Sequence, residues 1–244
     1  MAYTKDDIYE TLDGLIPSSL SCDWDNDGYM IKADGECHGV LLTLDVTAAA
    51  VDFAIERGLD CIVSHHPMIF RPLKAVTDEK IIKCVRNGIA VMSFHTRLDA
   101  RQPGVNDMLA SQTGAIGDIE AHGMLRVGEA CKSDIGRFAA AIKEALGAPD
   151  VKYAGNRPVR RAAMVGGSGK DFIPDAIALG CDTLVTGEVG YNAACDAADM
   201  GLNVIEAGHY YTERPVLRLL CDLIAENHPG INIEYFDSCP HKHI

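Results

Sequence analysis

Short apolar runs alternate with amphipathic segments along almost the whole chain, and glycines mark the joints. GVLLTLDV (39–46) reads as a strand, AAAVDFAIERG (48–58) as a helix closed by Gly58, and LDCIVS (59–64) as a second strand. DEKIIKCVRNG (78–88) is a further helix, and IAVMSF (89–94) a third strand. This βαβαβ rhythm predicts a largely parallel sheet with helices packed on it. After a looser stretch around SQTGAIGDIEAHGMLRVGEA the rhythm returns, with helices over 133–147 and 171–180 and strands over 160–166, 181–186 and 202–207. GYNAACDAADMG forms the helix between the last two strands, TERPVLRLLCDLIAEN a closing helix and INIEYF a final strand.

The two halves also align with each other. AIERGLDCIVSHH (54–66) matches AIALGCDTLVTGE (176–188) without a gap, sharing Ala, Ile, Gly, Asp and Val at equivalent places. Any helix-turn-strand unit shares some of this grammar. Read as a duplication, it predicts an α/β protein of two similar three-layer α/β/α halves, related by a pseudo-two-fold axis and built on mostly parallel sheets. The expected division is 1–121 and 122–244, with the C-terminal elements able to pack back on the first half. The halves differ in chemistry, because one strand ends in His-His and its counterpart in Gly-Glu.

Composition narrows the function classes. A chain of 244 residues with 48% hydrophobic and 23% charged residues can bury a substantial core. A net charge of −13 argues against general nucleic-acid binding, which needs a basic surface. No apolar run reaches the roughly 18 residues of a membrane span, and MAYTKDDIYETLDGLIP lacks the apolar region of a signal peptide. The nine cysteines form no CxxC pair; Cys61, Cys181 and Cys221 sit in apolar patterns as small hydrophobes. A cytoplasmic location is the expectation.

Three strands end in polar clusters: His65 and His66 in SHHP, His95 and Asp99 in HTRLDA, and His209 and Glu213 in GHYYTE. Neighbouring residues on a strand point to opposite faces, so adjacent imidazoles that share a task belong where a strand has ended. In a parallel sheet such ends share the carboxyl edge, where open α/β sheets place their sites. His209 and Glu213 are four apart across a helix start, so one turn presents both on one side; Pro215 is expected within the first turn of that helix. These imidazoles and carboxylates, without a thiolate, are too many for a closed structural zinc site. They suit two divalent cations about 3.5–4 Å apart, with zinc, iron or manganese favoured over calcium. Each residue has a plainer role too: a lone histidine at a strand end is commonly structural, Asp99 could cap the helix starting around 101–105, and Glu213 could answer its own helix dipole.

Other motifs carry less. MVGGSGKD (164–171) lacks the spacing of a phosphate loop and reads as a glycine-rich turn whose N–H groups could still meet an anion. Trp24, the only tryptophan, is expected to be a buried loop anchor, with a place at the site mouth as the alternative. The tail HKH (241–243) is expected to be a frayed terminus with at most adventitious metal affinity.

WDN (24–26), LLTLDVT (41–47), IVSHHPMIF (62–70), HTRLDA with GVNDMLA (95–110), LVTGEV (184–189) and GHYYTER (208–214) together resemble the YbgI-like dinuclear metal-centre family, also called Ngg-interacting-factor-like, over nearly the full chain and in the family's order. The resemblance implies that His65, His66, Asp99, His209 and Glu213 are metal ligands, and that the chain forms a toroidal hexamer with its metals facing an internal cavity. Family members often carry the label type 2 GTP cyclohydrolase homologue. One position departs: the usual HTNLD reads HTRLD, so Arg97 is expected as a solvated surface arginine, or else as an anion contact beside the metals.

The function these readings lead to is that of a metal-dependent hydrolase using a metal-bridging water on a nucleotide or other small molecule. His95 is the candidate proton shuttle or supporting partner. The alternative class is a non-enzymatic protein for metal storage, delivery or regulation, which needs the same ligands.

Overall fold

The computed structural model describes residues 2–242, and only the backbone of 131–133. The chain forms two units, Met1–Arg101 with Leu217–Lys242, and Gln102–Val216. The break at 101/102 falls earlier than the 121/122 boundary suggested by the strand pattern, and the C-terminal segment belongs with the first unit.

The first unit runs α1 (Lys5–Leu15), β1 (Gly28–Ile31), β2 (Val40–Thr43), α2 (Ala48–Arg57), β3 (Cys61–Ser64), α3 (Glu79–Arg86), β4 (Ala90–Ser93) and α4 (Thr96–Ala100). The second contains α5 (Val105–Thr113), β5 (Ile116–His122), β6 (Leu125–Ser133), α6 (Ile135–Leu146), β7 (Lys152–Ala154), β8 (Val159–Met164), α7 (Ile173–Ala178), β9 (Thr183–Thr186), α8 (Tyr191–Asp199), β10 (Asn203–Glu206) and α9 (His209–Glu213). Helix α10 (Val216–Asn227) and β11 (Ile233–Tyr235) return the chain to the first.

The first sheet has the order β1-β4-β3-β2-β11, parallel throughout except for β1 against β4. Every residue of β2, β3 and β4 is buried, which is why these strands read as continuous apolar runs rather than alternating ones. Leu41, Ile62 and Val91 from the three strands meet Ala50, Val51, Ala54, Ile81 and Cys84 from α2 and α3 in one core.

The second sheet, β5-β6-β8-β9-β10-β7, keeps β8, β9 and β10 parallel, but its other three pairings are antiparallel. It is a mixed sheet where a mostly parallel one was expected. The stretch read as loose is the β5–β6 hairpin, whose residues pair from Ile116↔Ala130 to His122↔Leu125. Gly123 turns it with φ +60°, a backbone region that glycine enters without steric cost. Both faces of the sheet are covered: Ala162, Met164, Val185 and Ile205 join one core, and Ala163, Val165, Leu184 and Val204 the other.

The internal repeat survives in backbone detail. Gly58 and Gly180 both take left-handed conformations, φ +67° and +73°, at the ends of α2 and α7. One residue further on, both turns close in the same way: the Leu59 N–H donates to the Ala54 carbonyl and the Cys181 N–H to the Ala176 carbonyl. Asp60 accepts the His38 N–H and Asp182 the Arg160 and Arg161 N–H groups, each locking the neighbouring strand. The closing helix departs from expectation: α9 and α10 are separate, with Pro215 between them, because proline brings no N–H to continue a helix.

Arg126 is wholly buried and fixes the hairpin to α5. Its Nε and Nη2 donate to the two carboxylate oxygens of Asp107 at 2.6 and 2.7 Å, and its Nη1 to the Gly123 carbonyl at 3.0 Å. Breaking a buried pair leaves a charge without its partner. Arg126→Ala is expected to cost about 3 kcal/mol, seen as a lower midpoint in thermal unfolding; an unchanged midpoint would show that the pair is dispensable.

Candidate metal centre

In the first unit the residues following β2, β3 and β4 emerge at one edge, because the three strands are parallel neighbours. β1 runs the other way and pairs Gly28 with Ser93, so the WDN segment before it begins at that same edge. The backbone ladder continues past the strand ends: the His65 N–H donates to Thr43 and the His66 N–H to Leu44. The His66 carbonyl is held in turn by the hydroxyls of Ser64 and Ser93.

His65, His66 and His95 form a cluster in which one nitrogen of each lies within 4.8 Å of the others. Each ring has its Nδ1 engaged on the opposite side. His65 Nδ1 donates to the Phe94 carbonyl at 3.0 Å, which can only accept. His66 Nδ1 lies 2.9 Å from Asp45 and His95 Nδ1 2.8 Å from Asp25. A donor at Nδ1 leaves the lone pair of a neutral imidazole at Nε2. One nitrogen of each ring thus comes close to the others, an arrangement in which a single cation can be shared. Asp99 lies in α4, inside the helix rather than capping one, with Oδ1 3.6 Å from His65 Nε2.

Asp25 stands behind His95 as an ionised acceptor. Its burial opposes ionisation, but hydrogen bonds from His95, the Thr96 hydroxyl and the Thr96 N–H outweigh that and hold its pKa below the usual carboxylate range. A cavity of about 340 Å³ adjoins this edge, lined by Asp45, His66, Pro67, Lys80 and Ser238 among others, within the size range of small-molecule sites. A larger one, about 660 Å³, is lined by Arg137, Tyr153, Arg157 and Arg160 and includes none of these residues.

The second unit builds its own cluster in the same way, at the carboxyl edge of β8, β9 and β10. His209 Nδ1 lies 3.2 Å from Glu188, and Nε2 3.1 Å from Glu213 Oε2 on the next turn of α9. Glycines keep the space beside this pair open. A Cβ on Gly167 would stand 2.2 Å from Glu213 Oε1 and 3.2 Å from His209 Nε2, and one on Gly187 2.7 Å from His209 Cα. The glycine-rich turn read from MVGGSGKD thus serves the carboxylate-imidazole pair. It is no anion loop: the Gly166 and Gly167 N–H groups donate to Asn106 Oδ1 and Thr212 Oγ1.

Two further expectations are corrected. Trp24 is 63% exposed, so it is no buried anchor; its ring lies 6.2 Å from that of His95. Arg97 is 1% exposed rather than solvated, and its guanidinium is taken up by Asp13 at 2.6 Å, Asp27 at 3.1 Å and the Ile16 carbonyl, over the face of Phe94. With two carboxylates on it, Arg97 holds α1 and the segment before β1 in place and offers nothing to an anion. Sequence reasoning also missed Asp45, Asp25 and Glu188 as partners of the imidazoles. The signal for Asp45 was present, since it follows β2, the strand beside β3. In the HKH tail, His243 lies outside the described residues.

Nitrogen and oxygen donors, imidazoles oriented through Nδ1 and glycine-made space fit divalent metal ions. The fold and these residues define an α/β protein with a histidine-carboxylate cluster of the kind that can hold a metal ion. The sequence signature of the Duf34/NIF3 (NGG1p interacting factor 3) family matches residues 3–242, and the chain belongs to that family. A Clostridium perfringens relative named GTP cyclohydrolase 1 type 2 homolog is 34% identical over 238 residues, 90% of each chain. A Helicobacter pylori relative named GTP cyclohydrolase 1 type 2 is 29% identical over 97% of each. Among solved structures, a Staphylococcus aureus hypothetical protein superposes with a TM-score of 0.91 at 28% identity over 99% of each chain. A Bacillus cereus protein related to NIF3 gives 0.90 at 22% identity, likewise over 99%, a likeness of fold alone.

Gly167 has φ +63° as well as the close approach to Glu213. Gly167→Ala is therefore expected to displace the carboxylate and to lower zinc content by half or more, measured by elemental analysis after loading and desalting. Full zinc content in a folded variant would show that the glycine cradle is not part of the site.

Proposed function

We propose that this chain is a dinuclear metal-dependent hydrolase acting on a nucleotide or another small molecule. His65, His66, His95 and Asp99 from the first unit and His209 and Glu213 from the second are the donors in this reading. The observation that carries it is the common orientation of the imidazoles, each tied at Nδ1 to a carbonyl or carboxylate. Tethering of that kind fixes the tautomer and raises the basicity of the other nitrogen, as in metal-bound histidines generally.

Two divalent cations, when bound, polarise an oxygen of the substrate and lower the pKa of water toward about 7. The chain's own residues supply the rest. Asp25, Asp45 and Glu188 orient their histidines through Nδ1, and Gly167 and Gly187 leave room beside Glu213. His95, read from the sequence as a proton shuttle, serves here as the third imidazole donor of its cluster. The relatives named as GTP cyclohydrolases support a nucleotide-sized substrate. The family resemblance supports a homo-oligomer, a hexamer, and the nitrogen and oxygen donors favour zinc, iron or manganese as the metal.

The test compares metal-loaded wild type with Glu213→Ala against nucleotides, phosphoesters and peptides. Metal-dependent turnover of one class, lowered at least 100-fold by Glu213→Ala, is the expected outcome. No turnover anywhere, with metal passed reversibly to an acceptor protein, would replace the hydrolase with a metal carrier.

A further inference from the structure

Two large aromatic rings stand uncovered beside the imidazole cluster of the first unit. Trp24 is 63% exposed and Phe70 45%, and their centroids are 6.1 Å apart with planes tilted by 57°. Single exposed apolar residues are ordinary. These two are adjacent, come from segments far apart in sequence, and both meet the same functional ring: His95 lies edge-on to Trp24 at 6.2 Å and to Phe70 at 6.5 Å.

Their placement is fixed by hydrogen bonds to the backbone around them. Asp25, next to Trp24, receives the Thr96 N–H and hydroxyl and His95 Nδ1, and its own N–H donates to Cys22. Asn26 donates its side-chain amide to the carbonyl of Ile69, the neighbour of Phe70. The WDN segment is thereby fastened both to the strand end that carries His95 and to the loop that carries Phe70. All three of its residues have a role: Asp25 orients the imidazole, Asn26 ties the loops, and Trp24 is left facing outward.

We propose that Trp24 and Phe70 form a stacking wall for a planar heteroaromatic ring, the base of a nucleoside or nucleotide, presented to the cluster at His95. The proposal rests on the reading of that cluster as the reactive site. At 6.1 Å the two rings leave no room for a third between them, since a sandwich needs about 7 Å, so the ligand lies against the wall. A flat π-face suits such a surface, and a bound base would carry its sugar and phosphates away from the apolar rings. Base-aromatic stacking changes affinity by about 5- to 150-fold per ring.

Trp24 is the sole tryptophan, so its fluorescence reports this wall and nothing else. The experiment titrates guanosine, adenosine, GTP and ribose 5-phosphate into zinc-loaded and into metal-free protein. Saturable quenching by the nucleosides and GTP but not by ribose 5-phosphate is expected. Phe70→Ala should weaken that binding about tenfold with zinc content unchanged, and Phe70→Tyr should retain it. Absence of saturable quenching, or equal affinity in Phe70→Ala, would overturn the proposal. So would a change of assembly mass in Phe70→Ala without nucleoside quenching, which would assign the wall to a second copy of the chain. If the wild-type protein retains no zinc after loading and yet is still quenched, the wall stands and the metal reading falls, so the two fail separately.

Discussion

The hydrogen bonds at Nδ1 are the interactions on which the candidate site depends. An imidazole at a strand end is a versatile group, able to donate, accept, carry charge or bind metal, and sequence alone leaves these roles open. The Phe94 carbonyl behind His65 removes that freedom, because a carbonyl can only accept and so demands a proton at Nδ1. Asp45 and Asp25 likewise accept from Nδ1 of His66 and His95, whereas His209 meets a carboxylate at each nitrogen, Glu188 and Glu213. Three imidazoles are thereby oriented through Nδ1 by the scaffold itself.

The scaffold that does this is the same device used twice. In each unit three parallel strands bring their carboxyl ends to one edge, and a glycine in the left-handed region ends the helix that leads into the middle strand. The residues just past the middle strand differ: His65-His66 in one unit, Gly187-Glu188 in the other. The first unit supplies an imidazole cluster. In the second, the small residues after β8 and β9 make room for a histidine and a carboxylate one helical turn apart on α9.

Much of this was legible in the sequence, and the rest was hidden for identifiable reasons. Apolar runs broken by glycine marked β2, β3, β4, β8, β9 and β10 to within three residues at either end, and their polar ends marked the candidate ligands. The β5–β6 hairpin was not seen because exposed β5 carries little apolar signal and Arg126, a buried charge, interrupts β6. Proline's effect was misjudged: α9 stops before Pro215 instead of continuing through it. Arg97 looked like a surface residue because the carboxylates that neutralise it, Asp13 and Asp27, are distant in sequence. For the same reason Asp25 could not be joined to His95 until the antiparallel placement of β1 brought the WDN segment to the right edge.

Crystals of zinc-loaded protein, measured across the zinc absorption edge, test the tethered imidazole cluster most directly. Anomalous peaks are expected about 2.0–2.1 Å from Nε2 of His65, His66 and His95, with each Nδ1 still on its carbonyl or carboxylate. Zinc bound through Nδ1, or no zinc at these rings in a fully loaded crystal, would contradict it.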